Sequence, residues 1–535
     1  MMLYSLLGVL SAVNLGLAAT WSRSASLPTA TIDSGPIIGT TTSLPSSTRT
    51  VTKFLGVPFA KKPVRFTRPV AVDSWSKPYN ATAWGLACNQ EITQAAGLFY
   101  EEIHLGSPMG GEGEDCLNLN VFTPKSASPG SLAVLVWFYG GGNANGATSL
   151  DQYDGSYFSA MQDVVVVSVN YRTNVFGFPG GDVPLEHRNL GLLDQRLALR
   201  WIQRNIAALG GDPDKVTIFG ESSGGASVDA LLTSPPDPLL FRAAIMQSGQ
   251  SSVKITTTPD DIGYSESWKQ LLSATNCTSD PIRCLRAIPA SKLEDIATKN
   301  NYSGGPVADN GQTWATSPRY ERITSKEGNS SIARVPILIG NNADEDKPFI
   351  IGMNDTSAAL IEAGLGAYAP TILAAYPLGA PGIHTENDRI SLIVNDYQMN
   401  CPIGILANDS LKADIPTWRY FFNASFPNNE SFKGSGAYHA SEIPYVFGTY
   451  QGENATSFEK EVSQAMQKAW ADFAKDPYCG PGWDTLPTIG LFGDGVKAGM
   501  SEVGKKALTT ASTKDIDSRC PLYKSLYAKT LHDTY

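Results

Sequence analysis

The stretch VTIFGESSGGAS, residues 216–227, constrains the fold of this chain more than any other part of the sequence. Its apolar start predicts a buried strand that runs straight into the pattern Gly-x-Ser-x-Gly centred on Ser222, and small residues typical of a helix start follow. The pattern alone is weak, since a chain with 50 glycines contains such matches by chance. The strand–turn–helix order is specific, because the glycines leave room for a sharp turn that exposes the serine hydroxyl. We therefore predict a serine nucleophile here, against the alternative of a glycine-rich loop with an incidental serine.

Strands and helices alternate through the rest of the chain. Apolar runs predict strands at residues 133–138, 164–170, 216–219, 243–247, 335–339 and 418–422. Helical spacing of apolar side chains predicts helices at 190–209 and 458–475. Continuous apolar strands separated by helices are typical of a mostly parallel central sheet with helices on both faces. No linker-like break interrupts the pattern, so we predict an α/β fold in a single large domain over residues 28–530.

A serine hydroxyl needs a base to take its proton, and histidine is the usual one. Of the five histidines, His439 stands out because it lies in a glycine-rich loop after the last predicted strand. An unperturbed imidazole titrates near pH ~6.5, so activity is expected to fall as His439 protonates. An orienting acid is expected between serine and histidine, where Asp344, Glu345 and Asp346 follow a predicted strand. Spacing does not choose among the three, and such a run is also typical of a solvated turn.

Consecutive glycines after the strand at 133–138 supply a third element of the same chemistry. The consecutive glycines at 140–142 leave backbone N–H groups free to face a developing oxyanion, with the N–H of Ser223 as the partner donor beyond the nucleophile. A phosphate-binding loop is the competing interpretation. It lacks support, because the glycines lead neither into Gly-Lys-Ser/Thr nor into Gly-x-Gly-x-x-Gly.

Further motifs occur in one order over roughly residues 28–525. They are FLGVPFA (54–60), EDCLNLNVFTP (114–124), VWFYGGG (136–142), NYRTNVFGF (170–178), NLGLLDQRLALRWIQRNIAALGGDPDKVTIFGESSGG (189–225), GNNADED (340–346) and YHASEIPYVFG (438–448). In these motifs the chain resembles the type-B carboxylesterase/lipase family, which includes cholinesterases and secreted fungal lipases. The resemblance implies an α/β-hydrolase fold and a secreted carboxylic ester hydrolase that works through an acyl-serine intermediate.

Site residues follow from the same resemblance. It implies a catalytic triad of Ser222, Glu345 and His439. It implies an oxyanion hole built from Gly141, Gly142 and Ser223. It also implies disulfides pairing Cys88 with Cys116, Cys277 with Cys284 and Cys401 with Cys520. A Cys479–Cys520 pair stays open as an alternative to the third, and one of the seven cysteines is left over.

Three residues depart from the pattern of the family. Asn143 replaces the usual Phe after the glycines, Ser223 replaces the commoner Ala, and Asp346 replaces the usual Gly after Glu345. None removes a catalytic group, but each bears on pocket shape or loop flexibility. The segment between Cys88 and Cys116 carries the lid in related lipases and a choline-binding Trp in cholinesterases. Here it contains no Trp, which argues against a choline ester, and enough apolar residues for a modest lid: Ala95, Ala96, Leu98, Phe99, Ile103, Leu105 and Met109.

The first residues of the chain predict export. Residues 1–19 are apolar and end in small residues typical of signal-peptide cleavage, so a secreted, extracellular protein is expected. In that compartment the Asn-x-Ser/Thr sequons become usable for glycosylation, at Asn80, Asn276, Asn301, Asn329, Asn354, Asn408, Asn423, Asn429 and Asn454. The cysteines lack metal-ligand spacing, and we expect no metal and no cofactor.

Composition limits the partners. With a net charge of −10 and no basic cluster, the chain offers no footprint for nucleic acid, and no later apolar run is long enough for stable membrane insertion. A small-molecule ester is the expected partner, and the oligomeric state stays open. Two alternatives to an ester hydrolase remain: an acyltransferase using the same triad, and a non-catalytic, adhesion-type protein of the same fold. Turnover of a chromogenic ester separates hydrolysis from adhesion, and a product assay separates hydrolysis from transfer.

Overall fold

The computed structural model describes residues 27–44, 48–90, 108–180, 182–253, 260–328, 330–450 and 452–530. Three predictions fall outside these ranges. They are the signal peptide at residues 1–19, the sequon at Asn329 and the apolar part of the predicted lid that comprises Ala95, Ala96, Leu98, Phe99, Ile103 and Leu105.

The described chain is built around a large twisted sheet. Its strands are β1 Thr29–Ile32, β2 Gly35–Ile38, β3 Thr40–Ser43, β4 Thr50–Pro58, β5 Tyr79–Asn80, β6 Asn118–Pro124, β7 Leu132–Phe138, β8 Val165–Val169, β9 Gly211–Glu221, β10 Ala243–Gln247, β11 Ile337–Asn342, β12 Thr417–Phe422, β13 Thr488–Phe492 and β14 Leu508–Ser512. Eleven of them form one sheet in the order β14-β13-β12-β11-β10-β9-β7-β8-β6-β4-β3. Neighbours run parallel from β8 across to β13 and antiparallel at both edges, so the predicted mostly parallel sheet is confirmed.

Helices connect these strands and cover the sheet. They are α1 Ser156–Gln162, α2 Asn174–Gly177, α3 Leu190–Asn205, α4 Ser223–Thr233, α5 Asp260–Thr275, α6 Pro281–Ala287, α7 Ala290–Lys299, α8 Pro318–Thr324, α9 Thr356–Glu362, α10 Ala369–Ala375, α11 Glu386–Asn395, α12 Cys401–Lys412, α13 Ile443–Phe447, α14 Ser457–Lys475, α15 Thr513–Ile516 and α16 Lys524–Thr530. Every residue of β8 and of β10 is buried, because helices pack on both faces of the central strands. Within the described ranges no helix has both the length and the apolar character that crossing a bilayer requires.

The structure adjusts two predicted boundaries. The helix predicted over residues 190–209 is α-helical only to Asn205, and its last turn tightens into a 3₁₀-helix at Ile206–Leu209. The strand predicted at 335–339 begins later, at Ile337, because Pro336 has no N–H to give to the ladder. It also continues to Asn342, so the acidic segment begins directly at the C-terminal end of β11.

Two tyrosines hold together the loops that leave β7 and β8. The rings of Tyr139 and Tyr171 stack with centroids 4.3 Å apart. Each hydroxyl donates to the backbone carbonyl of the other residue, at 2.8 and 2.5 Å. Because Tyr139 immediately precedes the consecutive glycines, this reciprocal pair fixes the point from which the glycine loop departs.

A buried ion pair anchors the next residue of the β8 loop to α3. The Nε and Nη2 atoms of Arg172 each donate to the Asp194 carboxylate at 2.8 Å, and the backbone N–H of Arg172 donates to the same group at 3.0 Å. The side chains are 4% and 0% exposed. Losing one partner would therefore leave the other charge buried and unpaired, which is far more costly than losing a surface pair.

We expect Asp194→Ala to lower the free energy of unfolding by about 3–5 kcal/mol, because it leaves the buried guanidinium of Arg172 without its carboxylate partner. Asp472→Ala is the matched control, since it removes the carboxylate of the solvent-exposed Lys468–Asp472 pair and should cost under about 1 kcal/mol. Urea denaturation of both variants with disulfides intact is the measurement. Equal losses of stability would contradict the role given to the buried pair.

Candidate active site

Ser222 lies at the sharp turn between β9 and α4. Its backbone has φ 54° and ψ −125°, a conformation that side-chain-bearing residues rarely adopt. A Cβ on Gly224 would lie 2.1 Å from the carbonyl oxygen of Phe138, and one on Gly220 would lie 2.6 Å from the backbone of Gly224. Only glycine allows backbones to approach this closely. The Ser222 N–H donates to the Gln247 carbonyl at 2.9 Å, which ties the turn to the end of β10.

Glu345 and His439 meet beside this turn. Nδ1 of His439 lies 2.6 Å from Oε2 of Glu345, and both side chains are buried. The other carboxylate oxygen, Oε1, accepts from the hydroxyl of Ser248 at 2.6 Å and from the backbone N–H of Asn342 at 2.5 Å. With Oε1 held by two donors, Oε2 is aimed at the imidazole, so the carboxylate fixes the ring orientation.

The neighbouring acids make different contacts. The carboxylate of Asp344 contacts Lys497 Nζ at 2.5 Å and accepts from the Ala437 N–H at 2.9 Å. Asp346 is buried, and no described residue pairs with its Oδ2 atom. Of the three acids that the spacing left open, Glu345 is therefore the one whose carboxylate contacts His439.

Two further glutamates surround the imidazole, and the sequence reasoning missed both. Oε1 of Glu221, the residue just before Ser222, lies 3.1 Å from Nε2 of His439. Glu442 is fully buried and accepts from the side-chain amides of Gln247 at 2.9 Å and Asn342 at 2.7 Å. The available signal was position alone, since Glu221 adjoins the serine and Glu442 lies three residues after the histidine.

These buried carboxyls perturb one another and the histidine. Burial raises the pKa of Glu221, and the nearby Glu442 and Glu345 charges raise it further. Burial and the charge of Glu345 raise the pKa of Asp346 to about 7. Burial alone would lower the pKa of His439, but Glu221 and Glu345 outweigh it and raise that pKa above 6.5. The expectation of an ordinary imidazole pKa therefore does not hold, because the carboxyl groups of Glu345 and Glu221 lie beside the two ring nitrogens.

The glycine loop lies against the start of α4. Gly141 and Gly142 have φ 105° and 63°, and Asn143 follows with φ 60°. The N–H of Asn143 donates to the hydroxyl of Ser223 at 3.2 Å, and its carbonyl accepts from the Asn174 N–H at 2.6 Å. The loop and the residue after Ser222 are thus joined directly, in the region where the sequence predicted an oxyanion hole.

A cavity of about 360 Å³ opens at Ser222. Its polar wall is formed by Asn143, Ser223, Ser248, Gln250, Ser251 and Gln398. Its apolar wall is formed by Ala226, Val253, Pro306, Met399 and Ile403, with the rings of Tyr264 and Trp314 beside them. In the part of the chain that the structure describes, no charged side chain lines this cavity.

The cysteines pair in three bonds within the described chain. Sulfur–sulfur bonds join Cys88 to Cys116, Cys277 to Cys284 and Cys401 to Cys520. Cys479 is exposed and unpaired, so the open alternative of a Cys479–Cys520 bond is not formed. The first bond closes the base of the segment predicted to form a lid.

The sequons differ in accessibility. Asparagine side chains are exposed at Asn80, Asn276, Asn301, Asn354, Asn408 and Asn454. Asn423 and Asn429 are only partly exposed, and the Nδ2 atom of Asn429 donates to the Ser441 carbonyl at 3.3 Å. Ser410, the hydroxyl residue of the Asn408 sequon, is fully buried inside α12. Accessibility therefore favours glycosylation at Asn80, Asn276, Asn301, Asn354 and Asn454.

A serine on a strained turn, beside a buried histidine–glutamate pair at one edge of a parallel sheet, defines an α/β-hydrolase of the serine type. The sequence profile described as "Carboxylesterase family" matches residues 26–365 and 367–480. The chain belongs to the carboxylesterase family, and it is a serine hydrolase that acts on carboxylic esters.

Curated relatives agree with this family. The chain is 33% identical over 474 residues to a cholinesterase of Mus musculus, covering 81% of this chain and 76% of the relative. It is 35% identical over 470 residues to an acetylcholinesterase of Bungarus fasciatus, covering 81% of this chain and 76% of that relative. It is 32% identical over 501 residues to carboxylesterase 1C of Rattus norvegicus, covering 86% of this chain and 88% of that relative.

The raised histidine pKa predicts the pH dependence. For the wild type, kcat/KM for p-nitrophenyl butyrate should fall on the acid side with an apparent pKa above 6.5, because a protonated imidazole accepts no proton. Glu221→Gln removes one negative charge near Nε2, so this limb should move to lower pH. The measurement is the pH–rate profile from pH 5 to 9.

Glu461→Gln, an exposed change on α14, is the matched control and should leave the profile where it is. A wild-type limb at or below pH 6.5, or one that Glu221→Gln does not move, would rule out this electrostatic account.

Proposed function

We propose that Ser222, His439 and Glu345 form the catalytic triad. In this mechanism Nε2 of His439 takes the proton of the Ser222 hydroxyl as its oxygen attacks the ester carbonyl. Glu345 holds the Nδ1–H and stabilises the imidazolium that forms. The observation that carries the proposal is the 2.6 Å contact between Nδ1 and Oε2, made beside the strained serine turn.

The tetrahedral intermediate needs donors for its oxyanion. We assign this role to the backbone N–H groups of Gly141, Gly142 and Ser223. Support comes from the left-handed backbone of the two glycines and from the Asn143–Ser223 hydrogen bond that joins the loop to α4. Removing one oxyanion donor in serine hydrolases costs about 2.7–4 kcal/mol of transition-state stabilisation.

The reaction then divides into two balanced halves. When the C–O bond to the alcohol breaks, His439 returns the proton to the leaving oxygen, and the acyl group stays on Ser222 Oγ. Water next attacks the acyl carbon while His439 takes one of its protons. The second tetrahedral intermediate then collapses, the bond to Ser222 Oγ breaks, and His439 returns the proton to that oxygen as the carboxylic acid leaves. Both halves use the same base and the same donors, so no other reactant is required.

The substrate proposed is a neutral carboxylic ester. Two relatives are cholinesterases by name, but the segment between Cys88 and Cys116 contains no Trp. The cavity at Ser222 presents polar, uncharged and apolar side chains. We therefore do not propose choline esters as substrates of this protein.

We also propose that the protein is exported and glycosylated. The apolar stretch at residues 1–19, the three disulfides and the exposed sequons support this route. A non-catalytic adhesion role has less support, since Ser222, His439 and Glu345 are all present and the last two are in contact.

Ser222→Ala should remove the nucleophile with little effect on the fold. Hydrolysis of p-nitrophenyl butyrate should drop at least about a thousandfold, and a fluorophosphonate probe should no longer label the protein. Ser357→Ala, an exposed change on α9, is the matched control and should keep both properties. Labelling that persists in Ser222→Ala would overturn the assignment of the nucleophile.

A further inference from the structure

The cavity at Ser222 lies on the acyl side of the ester, provided that the proposed mechanism holds. His439 must deliver a proton to the leaving alcohol, so the alcohol lies on the side of the imidazole. His439 contributes nothing to the wall of this cavity, whereas Ser222 and Ser223 do. What fills the cavity is therefore the group attached to the carbonyl carbon.

Most polar groups in the cavity wall are already paired within the protein. Ser248 donates to Glu345, and the hydroxyl of Ser223 accepts from the Asn143 N–H. The Gln250 amide both donates to and accepts from the backbone of Val253, at 2.8 and 2.7 Å. These groups have their partners, so they do not require a ligand.

Two carboxamides in the same wall are not paired. The side-chain oxygen of Asn143 is buried, and no described residue donates to it. Gln398 is partly exposed, and its amide makes no hydrogen bond with any described residue. It reaches the cavity from a π-helical turn, Asp396–Asn400, inserted between α11 and α12. A buried polar atom normally has a hydrogen-bond partner, so the Asn143 oxygen is the stronger indication of a ligand. For Gln398 the indication is its place in a π-helical turn, since such turns occur frequently at functional sites.

We propose that Asn143 and Gln398 bind a hydrogen-bond donor on the acyl group, so that the preferred substrates are esters of neutral hydroxy or amido acids. Asn143 directly follows the proposed oxyanion donor Gly142, which places the recognised group within a few atoms of the carbonyl. The orphan Oδ1 atom is an acceptor, so it requires an O–H or N–H. A plain fatty acyl chain leaves both carboxamides without a partner in the acyl group.

The expected preference is moderate. A closed site built around a substrate hydroxyl rejects the analogue without it by several orders of magnitude. This cavity of about 360 Å³ has room for water, which can replace part of the lost hydrogen bonding. We therefore expect about a tenfold preference in kcat/KM for p-nitrophenyl 3-hydroxybutyrate over butyrate. The 3-methoxybutyrate ester, which accepts but does not donate, should fall to the level of butyrate.

Asn143→Gly is the main test variant. Glycine adopts the left-handed backbone of this position and keeps the N–H that joins Ser223. It should reduce the ratio of hydroxybutyrate to butyrate turnover to about one. Asn310→Gly is the matched control, because Asn310 also has φ 61° but is exposed and lies outside the cavity wall; it should keep the wild-type ratio. Gln398→Met should lower the ratio as well, with Gln162→Met as its control.

The outcomes separate this inference from the proposed function. A ratio that is high in the wild type and both controls, and low in both test variants, supports it. Equal turnover of the three esters by the wild type overturns it and leaves the ester hydrolase in place. A preference that survives in Asn143→Gly and Gln398→Met also overturns it. Failure of the wild type to hydrolyse any ester or to react with a fluorophosphonate would instead overturn the proposed function.

Discussion

The backbone at Ser222 is the constraint on which the rest of the site depends. A parallel strand becomes a helix within a single residue, and the left-handed φ of 54° is the local cost of that change. The backbone keeps this strained conformation because neighbouring backbone segments pack closely against the turn. A Cβ on Gly249 would lie 1.9 Å from the Ser222 carbonyl oxygen, and one on Gly224 would lie 2.1 Å from that of Phe138. The packing of three adjacent strand ends therefore holds the serine hydroxyl at the rim of the sheet.

A cluster of buried acidic side chains determines the electrostatics around His439. Glu221, Glu345, Asp346 and Glu442 are all buried around one imidazole, His439. Burial and the charges of neighbouring carboxylates raise the pKa of Glu221, Asp346 and Glu442. Negative charge on the glutamates beside the ring raises the pKa of His439. Glu345 accepts from the hydroxyl of Ser248 and the backbone N–H of Asn342 besides contacting His439, which supports the orienting role proposed for it. The arrangement stabilises an imidazolium and makes the neutral base less abundant at low pH.

Much of the fold could be predicted from residue patterns. The apolar runs that became β7 to β12 are continuous and lie in the centre of the sheet, where burial on both faces overrides other preferences. The strand–turn–helix at Ser222 is equally local, because its glycines and its strand are adjacent in sequence. Boundaries were less predictable where a single backbone group decided them, as at Pro336 and at the tightened turn after Asn205.

The site was only partly predictable because its contacts join distant parts of the chain. Which of Asp344, Glu345 and Asp346 faces His439 depends on how the turn after β11 packs against a loop some ninety residues later in the chain. The spacing of the acids in the sequence does not contain this information. The glutamates at Glu221 and Glu442 were invisible for the same reason. The sequence alone showed that Asn143 stands where the family usually has Phe. Only the structure showed that this side chain lines the cavity with an unpaired, buried carboxamide oxygen.

The structure of a phosphonate adduct is the most direct test of the proposed triad and oxyanion hole, since the adduct imitates the tetrahedral intermediate. We expect phosphorus bonded to Ser222 Oγ, with the phosphoryl oxygen about 2.7–3.1 Å from the backbone nitrogens of Gly141, Gly142 and Ser223. We also expect the Nδ1–Oε2 contact between His439 and Glu345 to persist. Phosphorus on another residue, or a phosphoryl oxygen turned away from the glycine loop, would contradict the account.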